Sequence, residues 1–95
     1  MKACFRVSFI STADNVHRGE VRLEVDIGFT PSQEIGFEHP GLGSEPRRPV
    51  AIHYDIESGK FDIYLGTVKR RTKEECRAEA ESFEACGWKV VGVEA

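Results

Sequence analysis

The stretch PVAIHYDIESGKFDIYLGTV, residues 49–68, decides how this chain folds. Two alternating runs, 49–56 and 61–68, flank Ser58-Gly59, with Glu57 and Lys60 on either side. A small residue followed by glycine between two such runs is the composition of a two-residue hairpin turn. A turn there pairs Ile56 with Phe61, Tyr54 with Ile63 and Ile52 with Leu65 on one face. Every pair is apolar, and a slip of one residue would expose the whole set, which supports the register. The same register sets Asp55 opposite Asp62 and His53 opposite Tyr64 on the other face.

Downstream, Thr72 and Glu75 stand in the Thr-x-x-Glu spacing of a helix capping box. Gly87 follows Cys86 as a natural left-handed terminator. Between these stops, Cys76, Ala80 and Phe83 fall in one narrow stripe at helical spacing, and Arg77, Glu75, Glu79 and Glu81 line other faces. Residues 88–93 then read as a closing strand. Strand, helix and strand over 61–93 make a β-α-β unit.

Upstream lie two further alternating runs. Ala3, Phe5, Val7 and Phe9 share one face, with Cys4, Arg6 and Ser8 opposite. Val21, Leu23, Val25, Ile27 and Phe29 share a face, against Glu20, Arg22, Glu24 and Asp26. Such alternation marks strands buried on one side, as in an antiparallel sheet. The polar segment 11–19 between them reads as an exposed loop. From 30 to 48, Pro31, Pro40 and Pro46 with Gly36, Gly41 and Gly43 forbid a long regular element. A packed loop held through Ile35, Phe37 and Leu42, with a short strand at 34–38, is the expected form.

The fold class is therefore α+β. It is a four- to five-stranded, mainly antiparallel sheet with one helix on one face, in the order β-β-loop-β-β-α-β, forming one domain over 1–95. Composition agrees. Apolar residues make up 40% and charged residues 31% of 95 residues, too apolar for a disordered chain. The first residues alternate apolar and polar, so no signal-peptide core forms, and no stretch reaches the length of a membrane span. The expected location is cytoplasmic, without membrane contact. Cys4, Cys76 and Cys86 are odd in number and read as small apolar side chains.

The net charge of −3 conceals a polarity. Residues 47–71 hold Arg47, Arg48, Lys60, Lys69, Arg70 and Arg71 against Asp55, Glu57 and Asp62. Residues 72–95 hold Lys73, Arg77 and Lys89 against Glu74, Glu75, Glu79, Glu81, Glu84 and Glu94. The chain is basic before the helix and acidic along it.

Three functional readings follow, and no cofactor is implied by any of them. The first comes from coverage. Five strands at ~4.8 Å span about 24 Å, twice the ~10–12 Å width of one helix. The apolar face needs another cover: the 30–48 loop, sheet curvature or a second chain. A protein-interaction module that homodimerises is the reading this favours. The second is nucleic-acid or anion binding by Arg47, Arg48, Lys69, Arg70 and Arg71, the last three preceding a helix N-terminus. Against it, Glu74 and Glu75 already occupy the first helical turn, and exposed aromatics for base stacking are few. The third is a metal-dependent enzyme whose metal or acid–base centre is formed by His53, Asp55 and Asp62 on the outer face of the hairpin. Its competitor is a solvated face on which Lys60, Arg6 or Arg22 neutralises the carboxylates.

Overall fold

In the computed structural model, which describes residues 1–93, the sequence forms a five-stranded mixed sheet with one helix packed on it. The strands are β1 (Lys2–Ser11), β2 (Val16–Asp26), β3 (Ala51–Asp55), β4 (Lys60–Arg70) and β5 (Lys89–Val91). The helix is α1 (Lys73–Ala85), and a single 3-10 turn covers Pro40–Leu42. The strand order is β3-β4-β1-β2-β5. Two antiparallel hairpins, β1/β2 and β3/β4, meet through a parallel pairing of β1 with β4.

That parallel seam explains the long middle segment. With β1 and β4 parallel, β2 and β3 also run in the same direction. The chain must leave one end of β2 and restart β3 at the other end, crossing the face of the sheet. Residues 27–50 make this crossing over the apolar face. Phe37 packs its ring edge-on to Phe5 at 4.8 Å, and Leu42 is buried. The expected strand at 34–38 reduces to one bridge between Phe37 and Arg47, because a chain crossing over a sheet has no neighbouring strand to pair with. Helix α1 makes the second crossing, from β4 over β1 and β2 to the far edge at β5. Loop and helix share the face between them, so the crossing segment covers much of what the helix cannot.

The helix is bounded as its sequence predicts. Thr72 Oγ1 accepts from the Glu75 amide at 3.2 Å. Gly87 turns the chain at φ +98°, and the Trp88 amide closes on Phe83 O at 3.1 Å. Cys76, Ala80 and Phe83 are fully buried against the sheet. Phe83 meets Phe9 at 5.9 Å and Trp88 at 5.2 Å. Among the described residues, no helix is long and apolar enough to cross a membrane.

Segment 11–19 differs from its expected loop. β1 runs to Ser11 and β2 begins at Val16, leaving only a tight turn at 12–15 in which Asn15 takes φ +55°. Arg18 is an extra residue in the ladder between Gly19 and His17, and Gly19 takes φ +112° there. The polarity of His17 and Arg18 conceals the strand, which Gly19 enters through a buried, positive-φ position rather than an apolar side chain. A second irregularity falls at Gly66, φ +111°, where β4 slips against β1. It reverses the alternation, so Leu65 and Val68 are both buried despite their odd spacing.

The crossing loop is seated closely. A Cβ placed on Gly41 would stand 2.9 Å from Phe83 Cδ1 and 3.1 Å from Trp88 Nε1. Gly41→Ala is therefore expected to overpack the junction of loop and helix and to cost about 1–3 kcal/mol, read from urea unfolding midpoints. A variant as stable as the parent would mean that the loop does not rest on Phe83 and Trp88.

Candidate interaction surface

The sheet face away from the helix is polar and cross-braced. Arg6 lies on central strand β1, flanked by Arg22 on β2 and Tyr64 on β4. Its guanidinium donates from Nε and Nη2 to Asp62 Oδ1 at 3.2 and 3.0 Å. Nη1 lies 3.6 Å from Glu20 Oε1, which also accepts from Arg22 Nε at 2.9 Å. The Arg6 guanidinium carbon stands 5.7 Å from the Tyr64 ring centre, a cation–π distance. One row further, Lys60 Nζ donates to Glu24 at 2.5 Å and holds that carboxyl below the usual range. Charges that meet a like charge across one seam find an opposite charge across another.

The hairpin itself departs from the expected register by two residues. Asp55 pairs with Lys60, Tyr54 with Phe61, His53 with Asp62, Ile52 with Ile63 and Ala51 with Tyr64. The connection is thus four residues long, and Asp55 is the cause. Its Oδ1 accepts the Glu57 amide at 3.0 Å, its carbonyl accepts the Gly59 amide at 2.8 Å, and Gly59 takes φ +66°. A carboxylate that folds back on the next amides builds its own turn and outcompetes the Ser-Gly turn. These hydrogen bonds, that from Glu57 first, hold the Asp55 carboxyl below its ordinary value.

The grouping of His53, Asp55 and Asp62 changes accordingly. Asp62 is opposite His53 and held by Arg6, whereas Asp55 is engaged in the turn and opposite Lys60. Among the described residues, no three His, Cys, Asp or Glu side chains gather as a metal-holding group. Arg6, one of the cations expected as a neutralising partner, takes that part for Asp62.

Of the basic residues, Arg70 is engaged by Glu79 of the helix through Nε at 3.2 Å and Nη2 at 2.5 Å. Arg47 is held through its backbone by the bridge to Phe37. Arg48, Lys69 and Arg71 are exposed. Arg48, Arg71 and Glu57 enter no ion pair among the described residues, and Lys69 adds only a carbonyl that accepts from Arg70 Nη1 at 2.9 Å.

Two features were not singled out from sequence. The first is His39, in the crossing segment. Its Nδ1 accepts from Trp88 Nε1 at 3.0 Å and from the Gly41 amide at 3.2 Å, so this nitrogen is unprotonated and the ring tethers the crossing loop to the helix end. Only the fold brings positions 39 and 88 together. Beside this tether, Phe5, Leu23, Val25, Phe29, Phe37 and Trp88 line an apolar groove of about 230 Å³.

The second feature is the open edge at β3. Helix α1 contacts β1, β2, β4 and β5 but not β3. Ile52 and Tyr54 lie on the apolar side, opposite Ile63 and Phe61, yet Tyr54 is 52% exposed, with Val50 just before the strand 64% and Ile56 in the turn after it 86% exposed. Tyr54 lies tilted against Phe61, ring centres 4.7 Å apart, without being covered. The two-residue shift in register is what strands Ile56 in the turn. Gln33 Nε2 donates to Val50 O at 3.1 Å, capping the carbonyl just ahead of the strand.

Comparison with protein-family models, with curated proteins and with solved structures finds no match.

Two outcomes are expected from this geometry. Hydrogen bonds and ion pairs lower the Asp14, Glu24 and Asp55 carboxyls from ordinary values of 3.8, 4.5 and 3.8. Groups with a depressed folded-state pKa add stability above their unfolded value and lose it as pH falls through the folded one. Melting temperature should therefore hold near neutrality and fall below about pH 4.5; a flat profile down to pH 3 would contradict it. For the thiols, Cys4 and Cys76 are fully buried while Cys86 is partly exposed, and burial raises the Cys4 pKa. A thiol reagent on the native protein should label Cys86 first, with the other two reacting only on unfolding.

Proposed function

We propose that this chain is an interaction module that associates with a second copy of itself. The observation that carries the reading is the exposure of Tyr54 on edge strand β3, which the helix does not reach, together with Val50 and Ile56 at the two ends of that strand. An open strand edge invites another chain, and natural edges are ordinarily blunted by charge or proline on the exposed side. Here the core-side residues of the edge strand are Ile52 and Tyr54, flanked by the exposed Val50 and Ile56.

Magnitudes favour a modest association. A fully exposed side chain of this size forgoes roughly 1.5–3 kcal/mol relative to burial. Two copies contribute six such side chains, against an association cost of roughly 4–15 kcal/mol. The balance suits a dimer in the micromolar range rather than an obligate one. The polar face offers less to a nucleic acid. Arg6, Arg22 and Lys60 on that face already hold carboxylates, and Arg70 holds Glu79 of the helix, so a phosphate there would have to displace them, which leaves Arg48, Lys69 and Arg71 as the exposed basic residues. The unpaired thiols Cys4, Cys76 and Cys86 suit a reducing compartment, in keeping with a cytoplasmic module.

Sedimentation velocity across a hundredfold concentration range tests the reading. A dimer that dissociates on dilution is expected, and Tyr54→Lys with Ile56→Lys should leave a folded monomer throughout. A parent chain that stays monomeric up to millimolar concentration would overturn it.

A further inference from the structure

The geometry points to how the two copies meet: β3 pairs antiparallel with β3 of a second copy about a two-fold axis at His53, joining the two sheets edge to edge. This rests on the homodimer reading and adds its interface, its register and its selectivity for a second copy.

The strand is self-complementary in this arrangement. A two-fold at the centre of Ala51–Asp55 overlaps all five of its residues. It sets Ile52 opposite Tyr54 of the second copy and brings Val50, just before the strand, towards Ile56 in the turn that follows it. The exposed apolar side chains thus meet one another on the helix side of the joined sheet, where cross-strand pairs of this type are favourable. A two-fold perpendicular to the sheet keeps like faces on like sides, so the braced polar faces also join without burying a charge.

Charge selects the antiparallel sense. The segment that carries β3 is basic at its start, with Arg48, and acidic at its end, with Asp55 and Glu57. Antiparallel pairing brings each basic end beside the acidic end of the other copy, with Arg48 and Glu57 near each other in the irregular segments beyond the strand ends. Both side chains are exposed and enter no ion pair among the described residues. A parallel pairing would instead set like charges together at both ends, which opposes association. The opposite edge of the sheet offers no such partner surface, because β5 has three residues and leads into Gly92. The apolar groove beside His39 and Trp88 lies on the crossing loop, away from β3, and is left open by the pairing.

Charge exchange tests the register in the intact chain. Arg48→Glu or Glu57→Arg alone should weaken the dimer roughly five- to tenfold in low salt. Both changes in one chain recreate the pair in the opposite sense and should restore affinity to within about twofold. The doubly exchanged chain has the composition of the parent and so controls for folding. In a Cys86→Ser background, His53→Cys should give a disulfide-linked dimer on mild oxidation, because residues facing each other across strands lie within bridging distance. A cysteine at Asn15, in the β1–β2 turn, should not. A dimer indifferent to all three charge variants and without a link at position 53 would overturn β3 pairing while leaving the homodimer reading intact. A chain monomeric at every concentration would overturn both.

Discussion

The parallel pairing of β1 with β4 is the constraint on which the rest of the structure depends. Each hairpin alone would be marginal, since two strands bury too little to stand in water. Joined side by side they make a sheet with one continuous apolar face, from Val21 on β2 through Val7 and Phe9 on β1 to Ile63 on β4, all fully buried. The cost is topological. A parallel join between two hairpins requires the chain to cross the sheet, and residues 27–50 are that crossing. Its prolines and glycines serve a path over a surface rather than a regular element.

The crossing segment and helix α1 then divide the face between them. Their meeting point is compact: Gly41 lies against Phe83, and His39 accepts the indole hydrogen of Trp88. That bond satisfies a buried donor and ties two segments 49 residues apart in sequence. What this division leaves uncovered is the β3 edge. The functional reading of the molecule therefore comes from an economy of cover: one helix and one loop shield most of the sheet, and on β3 Ile52 packs on the core while Tyr54 stays wet.

Much of this was legible in the chain. Period-two alternation located β1, β2, β3 and β4, and the Thr72 cap, the stripe of Cys76, Ala80 and Phe83, and the Gly87 stop located α1. Alternation could not reveal how strands pair when residues are added to a ladder. Arg18 and Gly66 each shift a register, and the carboxylate of Asp55 converts a two-residue turn into a four-residue one. Each is a local choice made by a single side chain or a positive φ, below the resolution of a periodic pattern. For the same reason alternation alone sets Asp55 and Asp62 opposite one another, whereas the two-residue shift separates them. The partner of Asp62, Arg6, is distant in sequence and adjacent only through the parallel seam.

The sequence by itself determined the identity of the elements and which side of each strand is apolar, because both depend on near neighbours along the chain: alternation, caps and turn-formers. It also determined that one helix is too narrow for the sheet. The tertiary structure alone decided the strand order, the role of residues 27–50 as a cover, and the location of the uncovered apolar strip at β3. Those depend on which distant strands share hydrogen bonds. Apolar periodicity records only that a face is to be buried, and carries no information about what will bury it.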